Sequence, residues 1–277
     1  MIKFLVDTSS DYTVEDAKAG GVELVPLHIN FGETNYRDAY DLSKDGFYEL
    51  LTTSGEFPKT SQPTPQDFVD VFEKAQENGD ELICILLSSK LSGTYQSATL
   101  AKSIVEYDNI HLIDSLGATY MLRILAEYGQ KLAAEGKGVA EIVEAIENVK
   151  SKIKVLAVVD TLEYLCKGGR VSKASAAIGE MAKVKPMITV ADGEVAVIGK
   201  SLGKNKAIGG ILKALEGCEV DESFPIYSVS TLGTENCEAF EKKLEAAGYQ
   251  YTERVQVGAT IGTHVGPGVF GMIFVQK

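Results

Sequence analysis

Three separated stretches carry side chains able to hold an anion. Ser92-Gly93-Thr94 follows an apolar run, Leu82 to Leu87, and leads into Thr94 to Val105, which has helical apolar spacing. The three residues therefore stand at a strand-to-helix turn. Free backbone N–H groups and the positive end of the helix dipole favour an anion or a carboxylate there. Ser92 is equally suited to being only the helix N-cap, and the turn alone does not choose. Thr60-Ser61 precedes Gln62-Pro63-Thr64-Pro65, whose prolines predict a stiff, extended loop. Such a loop loses less entropy on holding a ligand, or is merely a rigid connector. Thr263-His264 lies in the glycine-rich stretch Gly262 to Gly271, expected as a loop in which the imidazole has small neighbours. Hydroxyls and an imidazole can hydrogen-bond a carboxylate, and bonds to a charged group are the stronger ones. A further turn, Asp7 to Asp11, adds Thr8, Ser9 and Ser10 as candidates, with a turn-and-cap role as the alternative.

The same residues raise a competing chemistry. Ser92 and His264 supply two members of a nucleophile, base and acid set, as in a serine hydrolase or acyltransferase. Against it, no GxSxG elbow surrounds Ser92, and no aspartate is singled out as the third member. Gly266, Gly268 and Gly271 spell GxGxxG, but a dinucleotide fingerprint opens a long helix, and the six residues left here read as a strand. There is no Walker A sequence. The three histidines, His28, His111 and His264, are scattered without metal-ligand spacing. His28 reads as a core or edge residue. No metal or other cofactor is expected.

The elements that must position these residues fall into two patterns. Up to Lys150 the chain reads as repeated strand–turn–helix units. Strands are expected at Ile2 to Val6, Val22 to Phe31 with a hairpin return at Thr34 to Arg37, Leu82 to Leu87 and His111 to Ile113. Helices are expected at Thr13 to Ala19, Lys44 to Leu51, Gln66 to Gln76, Thr94 to Val105, Gly117 to Ala133 and Val139 to Lys150. From Val155 the strands cluster: Val155 to Val159, a hairpin of Met187 to Ala191 and Val195 to Lys200 turned by Asp192-Gly193, then Ile226 to Ser230, Thr252 to Val257 and Val269 to Val275. Between them stand a helical turn at Leu162 to Leu165, a helix Lys173 to Ala182 capped by Ser172, and helices Asn205 to Leu215 and Glu235 to Ala247. The fold class is therefore α/β with two domains. Residues 1–154 form a mainly parallel sheet flanked by helices, and residues 155–277 an α+β domain with a mostly antiparallel sheet.

Composition narrows the function further. The 277 residues are 45% hydrophobic, enough for a substantial core. With 27 basic against 39 acidic residues the net charge is −12, which argues against nucleic acid or an anionic membrane as the main partner. No apolar run is long enough to span a membrane, so no stable insertion is expected. The start of the chain turns acidic too soon for a signal peptide. Four cysteines lie far apart with no CxxC pair, as suits reduced thiols in a cytoplasmic protein.

Taken together, Val6 to Asp11, Thr60 to Thr64, Ser88 to Ala98, Leu162 to Leu165 with Gly168-Gly169-Arg170, and Gly262 to Gly268 resemble the signatures of the bacterial DegV family, in the family's order and from end to end. The resemblance implies a two-domain α/β protein that buries one long-chain fatty acid. The carboxylate would be held between the domains and the acyl chain in an apolar tunnel. Several members are the binding subunit of a fatty acid kinase (FakB type). They present the acid to a separate ATP-dependent kinase subunit, which makes an acyl phosphate for phospholipid synthesis. On that resemblance Thr60, Ser61, Ser92 and His264 would be head-group contacts, with Gly93 and Thr263 beside them. Arg170 and Lys167 would shape the site or the partner surface. Met121, Leu122, Ile178 and Met181 are candidate tunnel residues, or plain core.

Overall fold

The computed structural model describes residues 1–171 and 184–277. The expected cap Ser172, the expected helix Lys173 to Ala182, and Ile178 and Met181 lie outside the described residues. In chain order the first strands are β1 (Ile2–Asp7), β2 (Val22–Val25), β3 (His28–Phe31), β4 (Thr34–Arg37), β5 (Lys59–Ser61), β6 (Glu81–Leu86) and β7 (Ile110–Asp114). Those after them are β8 (Ile153–Val158), β9 (Val184–Ala191), β10 (Glu194–Leu202), β11 (Tyr227–Ser230), β12 (Glu253–Gln256) and β13 (Phe270–Val275). The helices of the first half are α1 (Val14–Gly20), α2 (Lys44–Thr53), α3 (Pro65–Asn78), α4 (Thr94–Val105), α5 (Tyr120–Ala134) and α6 (Val139–Lys150). Those of the second are α7 (Glu163–Lys167), α8 (Lys204–Glu216), α9 (Glu235–Ala246) and α10 (Ala259–Val265).

Three sheets result. The first, in the order β2-β1-β6-β7, is parallel throughout. The second runs β10-β9-β8-β13-β11-β12 and is antiparallel except between β11 and β12. A small antiparallel sheet, β4-β3-β5, stands apart. The architecture is thus mixed α/β, with a parallel sheet and a mostly antiparallel one, as expected.

Side-chain alternation explains the layering. In the first sheet Leu5, Leu82, Cys84 and Leu86 bury against Phe68 and Phe72 of α3 and Ala98 and Ala101 of α4. The alternate residues, Phe4, Val6, Ile83 and Ile85, face Leu122 and Leu125 of α5 and Ile142 and Ile146 of α6. The same cluster takes in Val155, Ala157 and Ile273 from the second sheet. That sheet's other face buries Leu156, Val158, Met272 and Phe274 against Ile208 and Ile211 of α8 and Phe240 and Leu244 of α9. So α5 and α6 form a shared middle layer, with a sheet on either side. Each fully buried Leu, Ile or Phe contributes about 1.5–3 kcal/mol of transfer free energy, so the layers are fixed by burial. Met121 and Leu122 belong to this core.

Several boundaries differ from expectation for physical reasons. Val22 to Phe31 splits at Pro26, which cannot donate to a ladder, and β2 and β3 join different sheets. The helix expected from Gly117 begins only at Tyr120, because Leu116 and Thr119 have positive φ. The Thr60-Ser61 loop is a strand, pairing Ile29 with Thr60 and His28 with Ser61. The Asp192-Gly193 turn does carry positive φ at both residues, as a tight hairpin requires.

Candidate functional site

A cavity of about 860 Å³, its open mouth counted, lies between the C-terminal ends of the first sheet's strands and the inner face of the second. Leu27 follows β2, Leu87 and Leu91 follow β6, and Ala118 follows β7; all four line it. The opposite wall is β-branched or small: Val155, Ala157, Ile188, Val195, Val229 and Ile273. These are the residues that alternation turns inward on β8, β9, β10, β11 and β13. The polar side chains in its lining are Thr60, Ser92, Arg170 and His264, together with Thr119, Thr189 and Thr260; of these Thr60 meets His264, and Arg170 bonds Leu91 O beside Ser92.

His264 stands in the last turn of α10, where a loop was expected. The helix forms because neighbours far away in sequence hold it. Its short segment lacks the length to be helical alone. A Cβ on Gly262 would lie 2.7 Å from Phe47 and 2.8 Å from the Tyr48 hydroxyl, so glycine lets α10 pack closely on α2. Gly266 ends the helix with φ 74°, a conformation suited to glycine, and a Cβ there would run into the Tyr164 ring. His264 Nε2 sits 2.9 Å from Thr60 Oγ1, while its buried Nδ1 has no partner among the described residues. Burial, and then the Arg170 charge, push the imidazole down to about 4, so it is neutral at pH 7. Arg170 itself donates from Nε to Leu91 O at 3.0 Å and from a terminal nitrogen to Gly168 O. The guanidinium is thereby held at the cavity wall and stays charged.

Ser92 is not the N-cap of α4; Gly93 is, and it has no side-chain cap. The chain turns tightly before α4, with Ser92 N–H donating to Ser88 O, and this places Ser92 one residue too early. Its hydroxyl still accepts from Thr94 N–H at 3.3 Å and lies 2.9 Å from Thr94 Oγ1. Gly93 permits the Gln62 amide to rest on its backbone, a position that a Cβ would occupy. Gln62 in turn donates to Ser97 Oγ at 3.0 Å. This contact of the Thr60 strand with α4 is not legible in the sequence: Gln62 lies beside Thr60-Ser61, but nothing in its type distinguishes it from a loop residue.

The other candidates are placed differently. Ser61 is exposed and outside the cavity wall, since strand alternation turns it away from Thr60. Thr263 is buried, its hydroxyl without a partner among the described residues, and it does not line the cavity. Lys167 is exposed, pairs with Glu163 at 2.7 Å and lies over the Phe57 ring. Thr8, Ser9 and Ser10 are buried in a 3-10 turn behind the cavity. Thr8 Oγ1 accepts from Leu27 N–H, and Asp7 accepts from Ser9 and Leu87 N–H groups. Burial raises the carboxyls of Asp7 and Asp38 to about 6, and also raises Asp11, which Lys44 partly offsets. Among the described residues no cluster of His, Cys, Asp and Glu suits a metal ion.

Comparison with known proteins fixes the relationship. The profile of the DegV family, a family described as uncharacterised, matches residues 1–277. The chain belongs to the DegV family. A DegV domain-containing protein of Caldanaerobacter subterraneus is 37% identical over 281 residues, covering 100% of this chain and 99% of the relative. Among solved DegV structures, that of Thermus thermophilus, described by its fatty acid binding, superposes with TM-score 0.89 at 29% identity. It covers 100% of this chain and 99% of its own. DegV of Bacillus subtilis, described as a fatty acid binding protein, gives 0.85 at 29% identity with the same coverage. A stearic acid-binding protein of Eubacterium ventriosum gives 0.89 at 27%, again covering 100% and 99%. No helix among the described residues is long and apolar enough to cross a membrane.

Proposed function

We propose that this DegV protein binds one long-chain fatty acid, the carboxylate at Thr60, Ser92, His264 and Arg170 and the acyl chain along the second sheet. The observation that carries this is the lining of the cavity: walls of aliphatic side chains into which Thr60, Ser92, His264 and Arg170 are set, Thr60 against His264 and Arg170 bonded to Leu91 O next to Ser92. Each methylene buried there contributes about 0.8 kcal/mol, so the walls supply most of the affinity. The donors satisfy a carboxylate that would be costly to bury unpaired. The two sheets would be the cores of two domains, residues 1–154 and 155–277, with the ligand between them. On this reading the chain is not itself an enzyme but presents the bound acid to a separate ATP-dependent kinase subunit, which phosphorylates it.

The hydrolase alternative is weakened by the hydrogen bonds. Ser92 Oγ is paired with Thr94, and His264 Nε2 with Thr60. A serine hydrolase needs Ser and His joined, with an acid on the other imidazole nitrogen. No acid is bonded to His264 Nδ1 among the described residues. Native mass spectrometry of the protein purified from bacteria is the test. An intact fatty acid released on denaturation supports the carrier reading. A covalent acyl-serine, or turnover of an ester probe, overturns it. A pull-down with a kinase subunit, followed by acyl phosphate formation from ATP, tests presentation; its absence with a bound acid present would leave a carrier without that partner.

A further inference from the structure

The connection from β12 into α10 is gripped by residues from the first part of the chain. Lys44 Nζ donates to Gln256 O at 2.9 Å and Tyr48 Oη to Val257 O at 2.9 Å. Gly258 N–H donates to Asp11 Oδ1 at 2.8 Å. Thr260 donates twice to Asp38 Oδ2, from its N–H at 3.2 Å and its hydroxyl at 2.5 Å. The helix has no side-chain cap of its own. Two carboxylates from elsewhere therefore take the first-turn N–H groups, which also suits the helix dipole. Asp11 and Asp38 are almost fully buried, 2% and 5% exposed. Burying them costs free energy that a neutral acceptor would largely avoid, so a role beyond filling space is indicated.

The same two residues tie α10 to the cavity wall, Asp11 through its carboxylate and Asp38 through its backbone. The second oxygen of Asp11 accepts the Thr119 hydroxyl, and Asp38 N–H donates to Leu27 O at 2.9 Å. Thr119 and Leu27 both line the cavity, as does His264 at the far end of α10. One residue of slippage in α10 would rotate its side chains by about 100° and carry the imidazole away from Thr60. We propose that Asp11 and Asp38 are positioning residues, which fix the rise and rotation of α10 so that His264 meets Thr60 and faces the cavity. The consequence for ligand affinity rests on the fatty acid reading above; the orientation of His264 does not.

The test follows the three histidines by NMR across pH in the full-length protein, alongside the binding of palmitic acid. In wild type His264 should titrate below an ordinary histidine, because it is buried beside Arg170. Asp38→Ala and Asp11→Ala should move its midpoint toward the ordinary value of about 6.5, as the ring gains water. They should also weaken palmitic acid binding about ten-fold or more. Asp38→Asn keeps an acceptor for Thr260 and should restore both. Asp7→Asn, which alters another buried carboxyl without touching α10, should leave the His264 midpoint in place. If Asp38→Ala does not fold, Thr260→Val removes only the hydroxyl half of the contact and should move the midpoint part of the way. A wild-type His264 midpoint in folded Asp11→Ala and in Thr260→Val would overturn the proposal. Shifted midpoints in a protein that binds no palmitic acid would uphold the positioning role and refute the fatty acid reading.

Discussion

On the proposed function, replacing Thr60 by valine tests the head-group end separately from the walls that would hold the acyl chain. Thr60 lies in β5 opposite Ile29, and valine keeps the β-branched shape that a strand accepts, so the backbone should hold. The hydroxyl 2.9 Å from His264 Nε2 disappears, leaving both ring nitrogens without partners among the described residues. A carboxylate at that end loses a donor as well. A hydrogen bond to a charged group is worth about 1.5–3 kcal/mol, so affinity should fall by roughly 10- to 150-fold. The aliphatic walls make a separate prediction. At about 0.8 kcal/mol per methylene, going from lauric to palmitic acid should tighten binding by roughly 200-fold. Displacement of a fluorescent fatty acid by lauric, myristic and palmitic acids then gives two parallel lines, wild type and Thr60→Val, offset by the same factor at every length. A Thr60→Val line that coincides with wild type would refute the assignment of this end as the carboxylate site. A line that converges with wild type as the chain lengthens would place the hydroxyl on the wall instead.

Other measurements probe the scaffold. The Asp7 carboxyl, raised from the usual 3.8 to about 6, keeps a proton in the folded protein that the unfolded chain has already released; its stabilising contribution is present at acid pH and lost as pH rises through about 6. Urea unfolding should therefore show Asp7→Asn gaining on wild type by about 1 kcal/mol between pH 5 and pH 7, and a pH-independent difference would contradict the burial argument. The opposite sign holds for His264, whose depressed value makes its contribution vanish as pH falls from about 6.5 toward 4; His264→Gln should flatten that part of the profile. A Cβ on Gly271 would run into the β8 backbone at Leu156 and Ala157, so Gly271→Ala should cost several kcal/mol and lower Tm by several degrees. Exposed Gly209, in the interior of α8 with open space around it, should instead stabilise by about 0.5–1 kcal/mol when changed to Ala.

Local pattern made the framework legible where the structure is itself local. The α4 boundaries, Thr94 and Val105, and those of α6, Val139 and Lys150, follow from apolar spacing. The Asp192-Gly193 hairpin follows from its two turn residues. The site was legible as residue types, hydroxyls and one imidazole, but not as contacts. That α10 is a helix depends on Phe47, Tyr48, Asp11 and Asp38, all more than 200 residues upstream. No periodicity within Ala259–Val265 carries that information. Ser92 read as a cap because serine before a helix usually is one, whereas here the Ser88 carbonyl takes its N–H and moves the cap on to Gly93. Arg170 was visible beside Gly168-Gly169, yet its place in the wall depends on the Leu91 and Gly168 carbonyls that hold it.

The arrangement of Arg170 and His264 bears on how strongly a carboxylate would be held. A free arginine clamps a carboxylate with two parallel N–H bonds, and the pair then shields both oxygens. Here two of the five guanidinium donors are committed to backbone carbonyls, and the imidazole beside it is neutral at pH 7. The remaining partners, Thr60 and Ser92, are hydroxyls that donate one bond each. On the proposed function, a carboxylate here would meet a guanidinium with three donors left rather than five, and so a weaker clamp than a free arginine gives. On that reading, such a carboxylate would attack the terminal phosphate of ATP held by a kinase subunit, with ADP leaving. The proposed division, aliphatic walls supplying affinity and a head group held less tightly than by a free arginine, therefore favours presentation of the acid over storage of it.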